Sequence, residues 1–527
     1  MAQRRHNFIS GAAVLALAVA VTKVLGALYK IPLGNLLDKE GMAHFYAAYN
    51  IYNLLLVLST AGLPLALSRL VSRAAAQGRR NAQRRIFRTA LALLAVIGLV
   101  CSAVMCLFPQ VLSGLLHDSL AAPAIRTLGP AVLFVCLTSA IRGYTQGLGD
   151  MTPTAVSQMT ESAGKLVIGL ALCLMLLHRG ADSSLCAAGA IAGVTAGSLL
   201  SLTVLTVFLL RRRDRAAVDV PPARSAVLRE LLTAGIPITL GAAGMSLITL
   251  LDQALVMSTL QNTLGYTEAA ATALYGEYTF GMTLFALPPS FIYPVTVSLV
   301  PDISAALARG DRPAAGRSAA AALKLTTLIA LPTGAGLSVL AGPILRLLYP
   351  AVPDTAAAAA YHLTILGIAC IFVCLMVATN GVLQAYGKEY IPVVTLLCGG
   401  ILKIITNYLM VGDPATNVRG APVSTLYCYG LIVVLNLIAI ARCVPERPSY
   451  LRLFARPVLI TAVMALAARS SYGLLARSLP ERWAVLPAIA VAVVVYGVLV
   501  LALGAVTRKD VLDLPKGEKI ARMLHLH

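Results

Sequence analysis

Long apolar stretches separated by short polar loops recur along the whole of this 527-residue chain, and that pattern leaves it few ways to fold. Each stretch holds about 20 residues or more, enough to cross a hydrocarbon layer roughly 30 Å thick as a helix whose amides are satisfied internally. Fourteen such spans are expected, near 7–30, 43–68, 87–109, 124–148, 154–177, 184–210, 230–259, 273–300, 319–343, 358–383, 390–411, 421–441, 457–476 and 484–506. The apolar residues do not alternate with polar ones as barrel strands require, so the expected fold class is an all-α membrane protein. Only 12% of the residues are charged, about half the share usual in soluble proteins.

The net charge of +20 suggests nucleic acid until the charges are placed. With a cytoplasmic amino terminus and alternating sides, and with Lys30, Arg88, Arg126, Arg142 and Arg469 counted to the loops they adjoin, 29 of the 42 Lys and Arg fall on the inside, nine outside and four within spans. That is the positive-inside bias, and it predicts both termini in the cytoplasm. The run Arg69, Arg73, Arg79, Arg80, Arg84, Arg85, Arg88 and the run Arg211, Arg212, Arg213, Arg215 dominate it. Their expected partners are lipid headgroups, with no nucleic acid. Arg4 and Arg5 before an apolar run ending in Ala18-Val19-Ala20 have the look of a signal peptide. The apolar stretch continues to Leu28, so an uncleaved first helix is expected. The ten Cys lie in or beside spans without paired metal spacing and read as packing residues.

The chain also matches itself. Gly143, Gln146, Gly149 and Lys165 recur 238 residues later as Gly381, Gln384, Gly387 and Lys403, with Pro153 and Pro392 displaced by one. Pro64-Leu-Ala-Leu-Ser68 recurs as Pro294-Val-Thr-Val-Ser298, ahead of Ala- and Arg-rich sequence in both places. The predicted organisation is two six-helix lobes, 1–210 and 229–443, a cytoplasmic linker at 211–228, two further helices in 444–506 and a cytoplasmic tail at 507–527. Six is even, so the lobes share an orientation and relate by a pseudo-twofold along the membrane normal, as in transporters with a central site.

Charged groups inside spans are costly and usually face a bundle interior or an aqueous cavity. Lys23 and Lys324 lie near span ends, within snorkelling reach of the interface. Lys165 and Lys403 stand about eleven residues into their helices at equivalent places, and are the candidates for a cationic cavity. Glu161, four residues before Lys165, is placed for an intrahelical ion pair. Asp252 in the seventh span and Glu277 near the outer start of the eighth are the other acids. Such a carboxylate binds Na+, carries a proton or pairs with a lysine of the other lobe, and the sequence leaves these open. Pro64 and Pro294, where the lobes match, are candidate hinges. Chemistry finds little footing: there is no phosphate-binding Gly-rich loop with Lys-Ser/Thr and no His-Glu-x-x-His. Asp510-Val-Leu-Asp513 has a metal-like spacing but no partner acid, and reads as solvated tail.

The stretches Thr22-Lys23-Val-Leu-Gly26-Ala-Leu-Tyr29-Lys30-Ile-Pro32, Ala48-Tyr49-Asn50-Ile51-Tyr52, Leu58-Ser59-Thr60-Ala61-Gly62-Leu-Pro64 and Leu67-Ser68-Arg69 carry a resemblance. So do Tyr275-Gly276 through Phe285-Ala-Leu-Pro288-Pro289 and Ser298-Leu-Val-Pro301-Asp-Ile-Ser304. Over nearly its whole length the chain resembles the stage V sporulation protein B branch of the MurJ-like polysaccharide transporters. The resemblance implies a two-lobed, fourteen-helix flippase of the bacterial cytoplasmic membrane that moves lipid II, an undecaprenyl-diphosphate-linked peptidoglycan precursor, to the outer leaflet. It also implies a cationic central cavity for the diphosphate and a groove on the last two helices for the lipid tail. Lys23 matches a basic position of the family's first helix. Lys30 lies one residue beyond a second such position, where this chain has Tyr29. A basic residue of helix eight is absent, with Met282 near its place. Some relatives bind Na+ between helices seven, eleven and twelve. The matching positions here are Asp252, Asn407 and Thr425, while an acid expected one turn after Asn407 is Val411.

A substrate with a diphosphate and a long apolar tail needs cations in a cavity and an apolar path to lipid, which joins the paired lysines to the two extra helices. The expected partners are that lipid-linked saccharide and membrane lipids, for a monomer with no cofactor beyond Na+ or H+ as coupling ion. A multidrug antiporter would want acids for organic cations, against the lysine excess. A flippase for teichoic-acid or capsule precursors shares the headgroup chemistry and stays open. A membrane glycosyl- or phosphotransferase would need clustered acids or a metal motif at one face, and a non-transporting scaffold leaves the lysines unexplained.

Overall fold

The computed structural model describes residues 2–211, 219–444 and 450–505. Arg212, Arg213, Arg215 and the tail with Asp510 and Asp513 lie outside the described residues. Everything regular within them is helical. In chain order the helices are α1 (Ala2–Leu36), α2 (Lys39–Thr60), α3 (Leu63–Ala76), α4 (Arg80–Leu107), α5 (Pro109–Leu115), α6 (Ala122–Gly147), α7 (Thr152–His178), α8 (Ser183–Arg211) and α9 (Arg224–Ser258). They continue as α10 (Glu268–Phe285), α11 (Leu287–Ala308), α12 (Arg312–Val339), α13 (Ala341–Leu348), α14 (Pro353–Ala385), α15 (Tyr390–Val411), α16 (Gly420–Cys443), α17 (Tyr450–Leu475) and α18 (Glu481–Ala502). Among the described residues, twelve helical segments are long and apolar enough to cross a membrane. The first and eighth expected spans fall on α1 and on α10 with α11, which are helical as well. The Ala18-Val19-Ala20 run lies inside α1, which continues unbroken to Leu36.

Two expected spans are each broken into two helices. The stretch 43–68 divides at Ala61-Gly62, and Pro64 occupies the first turn of α3, where its missing amide leaves no carbonyl stranded. The stretch 273–300 divides at Ala286, with Pro288 and Pro289 in the first turn of α11. Pro294 therefore sits inside α11, its side chain outside the described residues, and the break equivalent to that at Pro64 precedes Pro288.

The chain forms two compact units, Met1–Thr279 and Phe280–His527. In the first, α7 and α8 pack on each other and on α6, with α1 against α7 and α2 against α6. The α7–α8 contact is backbone against backbone. Gly189, Gly193 and Gly197 recur every four residues on α8, and a Cβ at Gly193 would lie 2.3 Å from the Gly169 Cα, one at Gly197 2.5 Å from the Glu161 carbonyl oxygen. Small residues in this rhythm let membrane helices approach closely where lipid supplies no hydrophobic drive. Helix α9, expected to open the second lobe, packs here along α2, α3 and α4. Asn50 donates to Gln253 at 2.7 Å, Asn53 to Ser246 at 3.1 Å and the Gly62 amide to Thr239 at 3.2 Å.

The end of the linker is fastened to α4. The Asp219 carboxylate accepts from the backbone amides of Asn81 and Ala82 at 2.8 and 3.0 Å. Desolvation pushes the Asp219 carboxyl up, but these amides, with Arg79 nearby, hold it below the usual range.

In the second unit, α14 packs against α11, α12 and α16, and α15 lies on α16. Helices α17 and α18 pack together and cover α12 and α13 through Met464, Ala468 and Val485. Tyr496 donates to the Leu328 carbonyl at 2.7 Å. The sequence repeat reappears as local geometry. Gly149 and Gly387 end α6 and α14 at φ +84° and +70°, and in both places the glycine amide donates to the glutamine three residues earlier, Gln146 or Gln384.

Gly193→Val is expected to cost about 1–3 kcal/mol in reversible unfolding from lipid by denaturing detergent, because the backbones must part. Gly26→Ala, where an added Cβ meets nothing within 4 Å, is expected to cost nothing measurable.

Candidate functional site

Two lysines meet a run of aromatic rings in the first unit. Helix α2 carries Phe45, Tyr46, Tyr49 and Tyr52 at spacings of three and four, which gathers the rings along one side. Phe45 and Tyr49 stack with centroids 5.8 Å apart and planes 11° from parallel. From α1, Tyr29 is fully buried and donates to the Ala190 carbonyl of α8 at 2.8 Å. The next residue, Lys30, donates to the Tyr46 hydroxyl at 3.2 Å, its Nζ 4.7 Å from the Tyr46 ring centre and 5.3 Å from that of Tyr49. From α7, Lys165 Nζ lies 4.9 Å from the ring centres of both Tyr29 and Tyr49. Tyr49 thus contacts both ammonium groups.

Magnitudes say what such a site lacks. A cation over a ring gains about 0.5–2 kcal/mol, whereas a lysine in the middle of a membrane costs several. The rings hold the ammonium groups in place without neutralising them. Among the described residues, Lys30 and Lys165 form no ion pair with a carboxylate; Glu277, Asp118 and Glu161 pair instead with Lys39, His44 and Arg142. The arrangement is short of negative charge by about two, a deficit an anionic group would fill.

Glu161 is not the partner of Lys165 that the i, i+4 spacing predicts. Its Oε2 lies 2.9 Å from Arg142 Nη2 on α6, a neighbour that the spacing rule for a single helix does not see. Arg142 was to be sought on the cytoplasmic side by charge counting; it stands inside α6, 14% exposed, and also donates to Ser157 and Ser201 at 2.9 and 3.0 Å. Glu277 is paired with Lys39 at 2.9 Å, 238 residues away in sequence. Lys23 lies on α1 two turns before Lys30 and is exposed.

The remaining candidates divide between the units. Asp252 is buried on α9 in the first. Lys403, 5% exposed, lies on α15 in the second, one turn before buried Asn407. Asn407 accepts from Ser424 at 2.7 Å, and Thr425, the next residue of α16, donates to the Ala421 carbonyl. What sequence reasoning missed is the aromatic side of the site. Tyr46 and Tyr49 were visible as a ring every three or four residues facing Lys30, but aromatic spacing alone does not separate a cation cage from ordinary packing.

A family described as polysaccharide biosynthesis protein matches residues 8–307, and one described as MatE matches 237–409. Among curated proteins of Bacillus subtilis (strain 168), the chain is 26% identical to the uncharacterized membrane protein YabM over 99% of this chain and 97% of that one. It is 24% identical to stage V sporulation protein B over 84% of this chain and 85% of that one. It is also 24% identical to the lipid II flippase MurJ, over 88% of each. A solved structure of a lipid II flippase MurJ in an inward closed conformation superposes with a TM-score of 0.71 at 14% identity, covering 94% of this chain and 98% of that one, which shows a shared fold.

Tyr49→Leu is expected to lose about 1–2 kcal/mol of stability relative to Tyr49→Phe, which keeps the ring. The difference should shrink when Lys165 is Met and shrink further when Lys30 is Met as well, a mutant cycle read by denaturant unfolding in lipid nanodiscs.

Proposed function

Because the chain belongs to the polysaccharide biosynthesis protein family, which its residues 8–307 match, we propose that it is a flippase for a polyprenyl-diphosphate-linked saccharide, with the cell-wall precursor lipid II as cargo. The observation that carries the reading is the pair of ammonium groups, Lys30 and Lys165, held on tyrosine rings with no carboxylate paired to them among the described residues. A diphosphate is the complementary charge, and the tyrosine hydroxyls and ring faces suit the sugar that follows it. Lys403 is the counterpart of Lys165 in the second repeat, and Lys23 is an exposed cation on the approach to Lys30.

The reading extends to the architecture. Two six-helix lobes rock about a central site by alternating access, in a bacterial cytoplasmic membrane with both termini inside, and the protein acts as a carrier rather than an enzyme. Helices α17 and α18, with Leu459, Leu466, Val493 and Val494 exposed on apolar faces, guide the lipid tail. Asp252, Asn407 and Thr425 are the residues proposed for a coupling Na+ or H+.

One observation favours a second reading, a drug antiporter: the MatE match at 237–409. That class of cargo is cationic and would be repelled by Lys30 and Lys165, so the anionic cargo is preferred. A teichoic-acid or capsule precursor carries the same kind of phosphate-linked headgroup and is separated from lipid II only by direct comparison.

The test is transport by the purified protein in liposomes, with lipid II and a teichoic-acid precursor compared side by side, with and without a membrane potential. Losing one charge-assisted contact costs about 1.5–3 kcal/mol, so Lys30→Met and Lys165→Met are each expected to slow delivery to the outer leaflet by about tenfold or more. Unchanged lipid II exposure at unchanged protein abundance would remove both lysines from the site. Faster transport of the teichoic-acid precursor would reassign the cargo.

A further inference from the structure

Glu161 and Lys165 face each other across one turn of α7, with the acid nearer the amino terminus, the order that favours a pair. In the low dielectric of a membrane interior that attraction is larger than on a water-exposed helix. Yet Lys165 turns to Tyr29 and Tyr49, and Glu161 turns to Arg142.

Arg142 is built to hold the acid. Its Nε donates to Ser157 of α7 at 2.9 Å, and its Nη2 donates to Glu161 of α7 at 2.9 Å and to Ser201 of α8 at 3.0 Å. The Ser157 hydroxyl spends its own proton on the Thr154 carbonyl at 2.9 Å, which leaves its lone pairs to the guanidinium. Three helices thus fix one planar fork.

The second repeat supplies the comparison. At the offset of 238 that equates Lys165 with Lys403, Ser157 corresponds to Thr395, Arg142 to Asn380 and Glu161 to Gly399. The arginine and the acid are both replaced by neutral residues, while the lysine and the hydroxyl are kept. In their place stands a neutral network: Thr395 donates to the Asn436 carbonyl oxygen at 2.8 Å, and the Asn436 amide donates to Asn380 at 2.8 Å and Thr379 at 3.0 Å. An arginine occurs at this position in the repeat that carries an acid four residues before the lysine, and not in the repeat that carries a glycine there.

We infer that Arg142 is a positioning residue that takes up the Glu161 carboxylate and so keeps the Lys165 charge available to a phosphate-class anion. The inference rests on the cargo reading above for the identity of the anion, and on the geometry alone for the division of the charges.

The test uses the full chain in nanodiscs as Arg142→Asn, Glu161→Gln and the double variant. The first readout needs no ligand: the rate at which a small amine reagent labels Lys165, followed by mass spectrometry and normalised to Lys388. Freed from Arg142, Glu161 engages Lys165, so R142N is expected to slow labelling about threefold, and the double variant to restore it. Glu161→Gln alone leaves the rate unchanged, which decides the matter should R142N fail to reach the membrane. The second readout is binding of inorganic pyrophosphate, expected to weaken about tenfold in R142N and to recover in the double variant. Labelling that R142N leaves unaltered, that E161Q does not rescue, or that E161Q alone accelerates overturns the role of Arg142. Labelling as expected, in a wild-type protein that binds no pyrophosphate, leaves that role standing and overturns the cargo.

Discussion

An ammonium group inside a membrane must find compensation there, because water is not available to supply it. In the first unit that requirement organises the side chains of four helices. Helix α2 lines up its rings, α1 contributes a buried tyrosine beside a lysine, and α7 sends a second lysine between two rings, with α8 accepting the Tyr29 hydroxyl from behind. Aromatic faces are a weak form of compensation. They bind the cation without cancelling its charge, unlike a carboxylate. A fold that wanted only stability would have let Glu161 do that work.

Much of this was legible in the sequence, at the scale where one physical rule dominates. The cost of an unsatisfied amide in lipid makes apolar length a strong signal, and most expected spans coincide with single helices. The glycine–glutamine repeat was equally readable, because Gly149 and Gly387 end their helices in the left-handed region that favours glycine. The positions of the breaks were less so. A proline marks a break only when it falls in a first turn, as Pro64 does, whereas Pro294 is carried inside α11.

The site was legible only in part, for the opposite reason: no single rule governs it. Lys165 was recognisable by its depth, but its neighbours come from α1 and α2. The predicted Glu161–Lys165 pair followed correctly from one helix and failed because Arg142 arrives from another. The Lys39–Glu277 pair joins residues far apart in the chain that no local pattern connects. Charge counting placed Arg142 with the cytoplasmic cations, since the count sees only distance from a span end and not the hydroxyls waiting for it on α7 and α8.

The glycine seam between α7 and α8 has a mechanical consequence. Where two backbones touch at Gly169 and Gly193, neither helix can roll about its own axis without driving the other's chain into it. The two behave as a single beam. Glu161 and Lys165 are mounted on one flange of that beam and Ser201 on the other, while Ala190 holds the ring on which Lys165 rests. Whatever displacement the unit undergoes, these groups travel together, so the balance of charge is carried as a fixed load while its orientation changes.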